Sequence, residues 1–316
     1  FEIDGDKYMR ERPIAHLIDA LKDLGAECRY LEKEGFPPFV LKGGLVKGGR
    51  ISIPGNISSQ YLTALLMALP LTSDDSHISI VGEQVSKPYL DITLGIMDTF
   101  SVKASHDGYQ QFNIPGGQTY VSPGQYLIEG DASSASYFFA GAAINGGHVR
   151  VHGLGEHSVQ GDIRFLDAIE QMGAVVDRHD EYIDVSGASH LKGIDIDLNH
   201  IPDAAMTLAA LALFAEGRTV IRNVYNWRVK ETDRMHAMAE GLRRLGATVE
   251  TTSDTIIIDP PTEIESATIN PYGDHRVAMS FSLAALSKAS VTIENPECTG
   301  KTFPDYFDVL ESVSER

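Results

Sequence analysis

Four runs of apolar residues recur along the chain, and each would be apolar on nearly every side of a helix. They cover residues 61–69, 137–143, 204–214 and 277–286. A helix that is apolar all round is buried, because none of its faces suits water. None of the runs approaches the ~20 residues that a membrane span needs. The pattern therefore predicts four helices buried inside a folded protein.

Five further segments are apolar on one face only, which predicts helices that cover a sheet. The first spans 13–24 and the last spans 303–313. The first four stop at a small residue, namely Gly25, Ser101, Gly173 or Gly246. Glycine suits the left-handed residue that follows a helix, and a strand such as 255–259 then begins. We predict a unit of strand, buried helix, strand, polar loop, amphipathic helix and strand.

This unit repeats at a period of about 70 residues. Its clearest marker is a strand that ends in Gly82, Gly153, Asn223 or Asn295, so that the intervals are 71, 70 and 72 residues. Glycine and asparagine adopt positive φ most easily, so their alternation predicts one backbone turn kept in every unit.

A second marker precedes each buried helix. Asn56, Asp131, Asp203 and Asp274 each follow Gly or Pro and precede an apolar run. A short polar side chain at such a place can accept from the free N–H groups of the first turn. We therefore predict that these residues begin the four buried helices.

The count of units predicts that the front of the protein is absent. The chain opens on an amphipathic helix, which is the second half of a unit, and residue 1 is Phe1 rather than Met. Five amphipathic helices stand against four buried ones. We expect a fragment that lacks about one and a half units.

Composition limits the classes of function. A chain of 316 residues with 43% hydrophobic residues can form about two domains, and its net charge of −18 argues against nucleic acid or an anionic membrane as the main partner. Cys28 and Cys298 lie far apart without metal-ligand spacing, which favours reduced thiols. No signal peptide is visible at the start of the sequence, so we expect a cytoplasmic protein.

Positive charges gather in a few loops of this acidic chain. The loops after the strand ends carry Lys87, Arg228 with Lys230, and Lys301. Lys230 and Arg234 are four residues apart, and on one helical face such like charges are destabilising, so a shared anion explains them better. The alternative is a solvated face on which Glu231 and Asp233 neutralise the cations.

Three other places favour anion binding. Ser-Ser-Gln at 58–60 begins a predicted buried helix, where hydroxyl and N–H groups can receive a phosphate, although plain N-capping explains it equally. Arg276 stands at the mouth of another buried helix, where a guanidinium suits a carboxylate or phosphate. Arg12 stands at the first turn of the opening helix, and by itself it is equally a surface residue.

Asp203 and Glu231 are the candidate acid and base. Asp203 lies at a predicted helix start, where simple N-capping is the alternative, and cations flank Glu231 in the sequence. One carboxylate that takes a proton and another that gives one are what an addition–elimination reaction needs.

Eight strings together resemble the 5-enolpyruvylshikimate-3-phosphate synthase family over essentially the whole chain. They are Arg-Glu-Arg-Pro-Ile at 10–14, Ser-Ser-Gln at 58–60, Val-Ser-Lys-Pro-Tyr at 85–89, Glu-Gly-Asp-Ala-Ser-Ser-Ala at 129–135, Ile-Pro-Asp-Ala-Ala-Met at 201–206, Trp-Arg-Val-Lys-Glu-Thr-Asp-Arg at 227–234, Gly-Asp-His-Arg at 273–276 and Cys-Thr-Gly-Lys-Thr-Phe-Pro-Asp at 298–305. The resemblance implies a two-domain inside-out α/β barrel of six βαβαββ units. It also implies transfer of the enolpyruvyl group of phosphoenolpyruvate to the 5-hydroxyl of shikimate 3-phosphate, without a cofactor or a metal, in aromatic amino-acid biosynthesis.

The resemblance also implies roles for individual residues. Asp203 would accept the 5-hydroxyl proton and Glu231 would help to protonate phosphoenolpyruvate. The residues implied for shikimate 3-phosphate are Ser58, Ser59, Gln60, Ser86, Tyr89, Asp203, Asn226 and Lys230. Those implied for phosphoenolpyruvate are Arg12, Gln60, Arg234, His275, Arg276 and Lys301. The family is the target of glyphosate, which occupies the phosphoenolpyruvate site, and we expect a monomer.

The sequence departs from the family at its front. A Lys-Ser…Arg segment and an Asn-Ala-Gly-Thr segment, both of which contact substrate in the family, do not occur here. We therefore expect an incomplete N-terminal domain over 1–128, a nearly complete C-terminal domain over 129–316, and a fragment that is inactive by itself.

Two alternatives remain. The related UDP-N-acetylglucosamine enolpyruvyl transferase shares the fold and chemistry, but no counterpart of its reactive-cysteine loop is found, and Lys-Glu-Thr-Asp-Arg at 230–234 favours the shikimate enzyme. The chain could also be a folded remnant without catalysis.

Overall fold

The chain divides into two compact units. The computed structural model describes residues 1–44, 46–144 and 146–314. The first unit is Phe1–Leu127 and the second begins at Ile128. The identification of the two parts as an incomplete and a nearly complete domain stays a prediction.

The first unit combines short strands with two longer helices. Its strands are β1 (Glu2–Ile3), β2 (Glu27–Tyr30), β3 (Phe39–Lys42), β4 (Arg50–Pro54), β5 (Ser76–Val81), β6 (Ser105–Asp107) and β7 (Gln111–Ile114). Its helices are α1 (Lys7–Arg10), α2 (Ala15–Asp23), α3 (Ser59–Ala68) and α4 (Lys87–Thr99), with a 3₁₀ turn at Leu69–Leu71.

The second unit repeats the same alternation. Its strands are β8 (His148–His152), β9 (Val175–Arg178), β10 (Tyr182–Ser186), β11 (Leu191–Lys192), β12 (Asp195–Asp197), β13 (Ala215–Glu216), β14 (Thr219–Arg222), β15 (Thr248–Thr251), β16 (Ile256–Asp259), β17 (Ala267–Ile269) and β18 (Val291–Ile293). Its helices are α5 (Ala132–Ile144), α6 (Phe165–Met172), α7 (Ala205–Leu211), α8 (Arg234–Arg244), α9 (His275–Ser282) and α10 (Tyr306–Val313). Its 3₁₀ segments are Gly161–Arg164, Ala212–Phe214, Tyr225–Val229, Leu283–Leu286 and Pro296–Lys301.

Sheet topology confirms the repeat. The sheet β4-β5-β7-β6 and the sheet β12-β14-β16-β15 have one and the same connectivity. In each, the first two strands are parallel, with Ile53 beside Ile80 and Ile196 beside Ile221, and the remaining pairs are antiparallel. The other described strands form sheets β1-β3-β2, β8-β10-β9, β11-β13 and β17-β18. The fold is therefore α/β with small sheets.

The predicted burial of the four apolar helices is confirmed. All seven residues of α7 and all but Arg276 of the eight in α9 are buried, α5 buries most of its residues and α3 buries half of its ten. In the second unit α7 packs against both α5 and α9, so the three helices lie together in the core beneath the sheets. Helix α7 is shorter than predicted, because residues 212–214 form a 3₁₀ turn.

The turns that were predicted from glycine and asparagine are confirmed. Gly82, Gly153, Asn223 and Asn295 have φ of 80°, 82°, 60° and 45°. The residues after the amphipathic helices, Gly25, Ser101, Gly173 and Gly246, also have positive φ. Each unit therefore keeps two left-handed turns, at the end of a strand and at the end of a helix.

The prediction for the helix starts is right in two cases and wrong in two. Asp131 accepts from the Ser134 amide and Asp274 accepts from the Arg276 amide. Asn56 does not cap α3, because Ser58 holds that position and accepts from the Gln60 amide. Asp203 makes no cap hydrogen bond to α7, because its carboxylate binds arginine side chains instead.

Within the described residues, no helix combines the length and apolar composition that crossing a bilayer requires.

Candidate active site

A buried arginine holds three carboxylates in the second unit. Arg234 is the first residue of α8, and its side chain is only 1% exposed. Its Nη1 donates to Asp203 at 2.7 Å, its Nη2 to Glu231 at 2.9 Å and its Nε to Asp274 at 2.8 Å. The planar guanidinium fixes these donors in one fork. The two predicted acid–base residues therefore share one partner. This contact could not be predicted from the sequence.

Two further cations bind the outer oxygens of the same carboxylates. Arg276 Nη2 lies 3.1 Å from Asp203 Oδ2, and Lys301 Nζ lies 2.7 Å from Glu231 Oε1. The side chain of Lys301 is half exposed, whereas that of Arg276 is mostly buried. Asp203 and Glu231 thus each bridge Arg234 and one more cation.

The cations decide the charge state of Asp203. Burial alone raises the pKa of this carboxyl, because it disfavours charge. Arg276, Arg234 and Lys230 oppose burial more strongly and hold the pKa of Asp203 well below its usual range. Asp203 is therefore ionised at neutral pH, as a proton acceptor must be.

Glu231 is ionised for the same reason. Burial raises its pKa, but the charges of Arg234 and Lys301, with the hydrogen bond from Lys301, lower the pKa to about 2. Arg234, three residues along the chain, and Lys301, from a distant loop, thus favour its charged form.

Two residues that the sequence analysis did not assign hold this arrangement. Trp227 is fully buried, and its indole N–H donates to the Pro202 carbonyl at 2.7 Å, beside Asp203. Asp274 is fully buried and uses one oxygen for Arg234 and the other for the Arg276 amide. The single tryptophan of the sequence and the acid in Gly-Asp-His-Arg were the signals that could have indicated them.

The helical face that was predicted for Lys230 and Arg234 is wrong. Lys230 ends the 3₁₀ segment Tyr225–Val229, and α8 begins only at Arg234, with Asp233 as its cap. The capping carboxylate of Asp233 accepts from the His236 amide, so it fixes where the helix starts. Lys230 acts instead through its charge on Asp203.

Asn226 and His275 bring unsatisfied polar atoms to the same unit. Both are buried, and neither the Asn226 amide nor the two His275 ring nitrogens make a hydrogen bond within the described residues. Burial lowers the pKa of His275 to about 4, although Asp274 opposes the shift, so the ring is neutral near pH 7. Buried polar atoms without partners are costly and fit places that a ligand completes.

In the first unit, three predicted residues lie at the start of α3. Ser58 caps the helix, Ser59 is buried in its first turn and Gln60 is exposed. The plain N-capping interpretation thus holds for Ser58, while Ser59 and Gln60 have no capping role.

Ser86 and Tyr89 lie at the start of α4. Ser86 is buried and left-handed, with φ of 56°, and its side chain makes no capping hydrogen bond. A non-glycine residue with such a φ is uncommon, and strained backbone often marks a functional position. Helices α3 and α4 pack together, and Thr63 Oγ1 lies 3.3 Å from Thr93 Oγ1 between them.

Arg12 lies beside the same helix α3. The Tyr61 hydroxyl donates to the Pro13 carbonyl at 2.5 Å and so fixes the turn that carries Arg12. Burial raises the pKa of Tyr61, and the charge of Arg12 opposes this shift. The structure therefore gives Arg12 a fixed place next to α3.

Asp162 is a buried carboxyl that sequence analysis missed. It lies in the 3₁₀ segment Gly161–Arg164 and accepts a short hydrogen bond from the Ser133 hydroxyl of α5. Burial raises its pKa to about 6, the charge of Asp203 acts in the same direction, and Arg276 opposes both. Asp162 is thus electrostatically linked to the site through Asp203.

Glu156, His157 and Asp180 are the described trio whose side chains bring possible metal ligands close together. All three are exposed, none is a predicted site residue, and exposed acidic groups often lie together without an ion. The expectation of a reaction without metal or cofactor stays a prediction. Burial raises the pKa of both cysteines, that of Cys298 to about 11, so neither is a ready thiolate nucleophile.

The fold and the site together define a class of protein. Two fixed carboxylates among several cations, on repeated α/β units, suit an enzyme that performs acid–base chemistry on an anionic substrate. Comparison with known proteins identifies the family. The sequence profile of EPSP synthase (3-phosphoshikimate 1-carboxyvinyltransferase) matches residues 1–310, and the chain belongs to this family.

Named relatives are similar over the whole chain. The 3-phosphoshikimate 1-carboxyvinyltransferase of Vibrio vulnificus (strain YJ016) is 58% identical over 315 residues, which cover 100% of this chain and 73% of the relative. That of Serratia proteamaculans (strain 568) is 58% identical over 313 residues, which cover 99% and 73%. The chain thus spans about three quarters of the length of these relatives.

Solved structures agree with the fold. EPSP synthase from Acinetobacter baumannii superimposes with a TM-score of 0.81 at 26% identity, covering 99% of this chain and 73% of that one. The enolpyruvyl transferase NikO from Streptomyces tendae gives a TM-score of 0.76 at 18% identity, covering 95% and 71%, and supports the fold alone.

Proposed function

We propose that the carboxylates on Arg234 form the site at which this chain transfers the enolpyruvyl group of phosphoenolpyruvate to the 5-hydroxyl of shikimate 3-phosphate. The observation that carries the proposal is the shared contact of Asp203 and Glu231 with one buried guanidinium. Family membership supplies the substrates, and the geometry supplies an acid–base pair among cations that suit phosphate and carboxylate groups.

The reaction begins with an addition. Asp203 takes the proton of the 5-hydroxyl group while the oxygen of that hydroxyl bonds to C2 of phosphoenolpyruvate. Glu231 gives a proton to the methylene carbon, which becomes a methyl group. In the elimination, the methyl group returns a proton to Glu231 and the C–O bond to phosphate breaks. The departing phosphate takes the proton that Asp203 held, so protons and charges balance.

The cations bind and orient the two anions. We assign Arg12, Gln60, Arg234, His275, Arg276 and Lys301 to phosphoenolpyruvate. We assign Ser58, Ser59, Gln60, Ser86, Tyr89, Asp203, Asn226 and Lys230 to shikimate 3-phosphate. The role that we assign to Arg234 differs from that of the other cations, because three of its N–H groups already bind carboxylates. Its main task is to orient Asp203 and Glu231, because its side chain is only 1% exposed.

Further properties follow from the family. We propose that glyphosate competes for the phosphoenolpyruvate cations and that the protein works as a cytoplasmic monomer in aromatic amino-acid biosynthesis. The UDP-N-acetylglucosamine alternative is not favoured, since the matching profile and the two relatives described above are of the shikimate enzyme.

A single-turnover assay tests the proposed function. The chain, in excess over both substrates, is mixed with phosphoenolpyruvate and shikimate 3-phosphate, and phosphate and the enolpyruvyl ether are measured. The V. vulnificus relative is the positive control, and omission of either substrate is the negative control. Ether formation that needs both substrates, together with saturable phosphoenolpyruvate binding, supports the proposal. Neither ether nor binding, while the relative is active, contradicts it.

A further inference from the structure

Both oxygens of Glu231 are held by cations. Oε2 accepts from Arg234 Nη2 at 2.9 Å, and Oε1 accepts from Lys301 Nζ at 2.7 Å. Two such charge-assisted hydrogen bonds stabilise the carboxylate over the carboxylic acid. They hold the pKa of Glu231 at about 2, so at neutral pH the group carries no proton to give. In this ionised state Glu231 cannot protonate the methylene carbon of phosphoenolpyruvate.

The two cations differ in their freedom to leave. Arg234 is 1% exposed and is fixed by Asp203 and Asp274 as well as by Glu231. Lys301 is 51% exposed and ends the short 3₁₀ segment Pro296–Lys301. A flexible lysine near the surface can change partner at small cost, whereas a buried arginine with three carboxylates cannot.

We propose that Lys301 is exchanged between Glu231 and the anionic group of the substrate, and that its departure lets Glu231 take up the proton which the reaction then uses. The proton comes from solvent, forms the acid of Glu231 and passes to the methylene carbon. This rests on the proposed function for the identity of the substrate. Lys301 is thereby a positioning residue that couples anion binding to the protonation of Glu231.

The other charged groups around Glu231 support the exchange. Through Arg234, Glu231 shares its environment with the carboxylates of Asp203 and Asp274. Once Lys301 has left, Arg234 still binds Glu231, but its charge is shared with these two carboxylates. Neighbouring Lys230 and Arg276 act on Asp203, and His275 on α9 is neutral near pH 7. Cys298, on the same segment as Lys301, is an uncharged thiol, since its pKa is raised to about 11.

The test measures the Glu231 carboxyl directly and needs neither substrate. Glutamate labelled with ¹³C at Cδ is incorporated into the whole chain, and the Glu231 signal is assigned by its loss in Glu231→Gln. Its chemical shift is followed between pH 3.5 and 7 at low salt, over the range in which circular dichroism shows the native fold. Sodium sulfate is the anion, because it stays fully ionised over this range. Calorimetry on the same samples measures sulfate binding.

Three variants isolate the lysine. Lys301→Met removes the charge and keeps much of the length, and Lys301→Arg restores a cation. Lys42→Met is the matched control, since Lys42 forms an exposed pair with Glu27 at 3.2 Å in the first unit.

Without sulfate, the wild-type Glu231 carboxyl should stay ionised throughout the range. Saturating sulfate should raise its pKa by about 1–3 units, the usual effect of losing an adjacent opposite charge. Lys301→Met should show the raised pKa without sulfate and no further rise with it. Lys301→Arg should recover the sulfate response, and Lys42→Met should match the wild type.

Sulfate that binds without moving the Glu231 pKa would overturn the exchange. So would an unchanged low pKa in Lys301→Met, or an absence of sulfate binding at low salt. An assay that shows neither ether nor phosphoenolpyruvate binding, together with the expected carboxyl shifts, would contradict the proposed function instead, so the two can fail separately.

Discussion

Arg234, whose side chain is 1% exposed, forms an ion pair with Asp203 at 2.7 Å, and the same guanidinium holds Glu231 at 2.9 Å. The proposed base and the proposed acid are thus oriented by one rigid group. Removal of water strengthens such pairs, and a preorganised pair needs little rearrangement during the reaction. The proposed acid and base therefore both belong to the second unit.

Asp203→Ala should reduce the rate constant of the chemical step by ~10²–10⁴, with a much smaller change in KM, because a general base acts mainly in the transition state. The measurement is single-turnover formation of the enolpyruvyl ether. Asp195→Ala serves as a control, because Asp195 pairs with Arg222 at the surface. An unchanged rate in Asp203→Ala would remove Asp203 from the mechanism.

Asp274→Asn should lower the free energy of unfolding by about 3–5 kcal/mol, because it leaves the buried Arg234 without one of its carboxylates. Asp274 is 0% exposed. The matched control is Asp259→Asn, which breaks the exposed two-bond pair with Arg218 and should cost at most about 1 kcal/mol. Urea unfolding compares the two variants. Equal losses of unfolding free energy would show that the buried Arg234 network contributes no more to stability than an exposed ion pair.

The stability of Asp162→Asn relative to the wild type should increase as the pH rises. The pKa of Asp162 is raised to about 6 in the fold, so the folded state holds a proton that the unfolded state releases at lower pH. The wild type therefore loses stability from this group between pH 4 and 6, and the loss is complete above pH 6. Because the variant lacks this loss, its stability relative to the wild type should rise by about 3 kcal/mol across that window.

Urea unfolding at pH 4, 5, 6 and 7 provides the measurement. Asp23→Asn is the control, since Asp23 is exposed at the end of α2. A stability difference between Asp162→Asn and the wild type that is independent of pH would refute the shifted carboxyl.

Much of the fold could be predicted from local pattern. Buried helices, their small-residue ends and the turns at Gly82 and Asn223 depend on apolar periodicity and on allowed φ, both of which are visible in sequence. The helical face predicted for Lys230 and Arg234 is wrong, because Asp233, considered only as a neutralising partner in the alternative interpretation, caps α8 at Arg234. Capping and charge pairing use the same residue types, so sequence alone does not separate them.

The candidate site was predicted as a set of residues but not as an arrangement. The cation loops indicated anion binding, and local sequence context, with the family motifs, selected Asp203 and Glu231. Their common contact with Arg234 depends on how α7, α8 and α9 pack, which is long-range information. Asp162 was missed for the same reason, because an acid in a loop looks solvated until tertiary structure buries it.

The central claim is tested most directly by the fluorescence of Trp227, the single tryptophan, whose indole is bonded beside Asp203. Phosphoenolpyruvate is titrated at low and at moderate salt, with and without shikimate 3-phosphate, into the wild type, Arg276→Met and the surface control Arg218→Met. We predict a saturable, salt-sensitive change in the wild type and in Arg218→Met that is weakened at least tenfold in Arg276→Met. No saturable change in the wild type, or equal affinity in all three proteins, would contradict the assignment of this site.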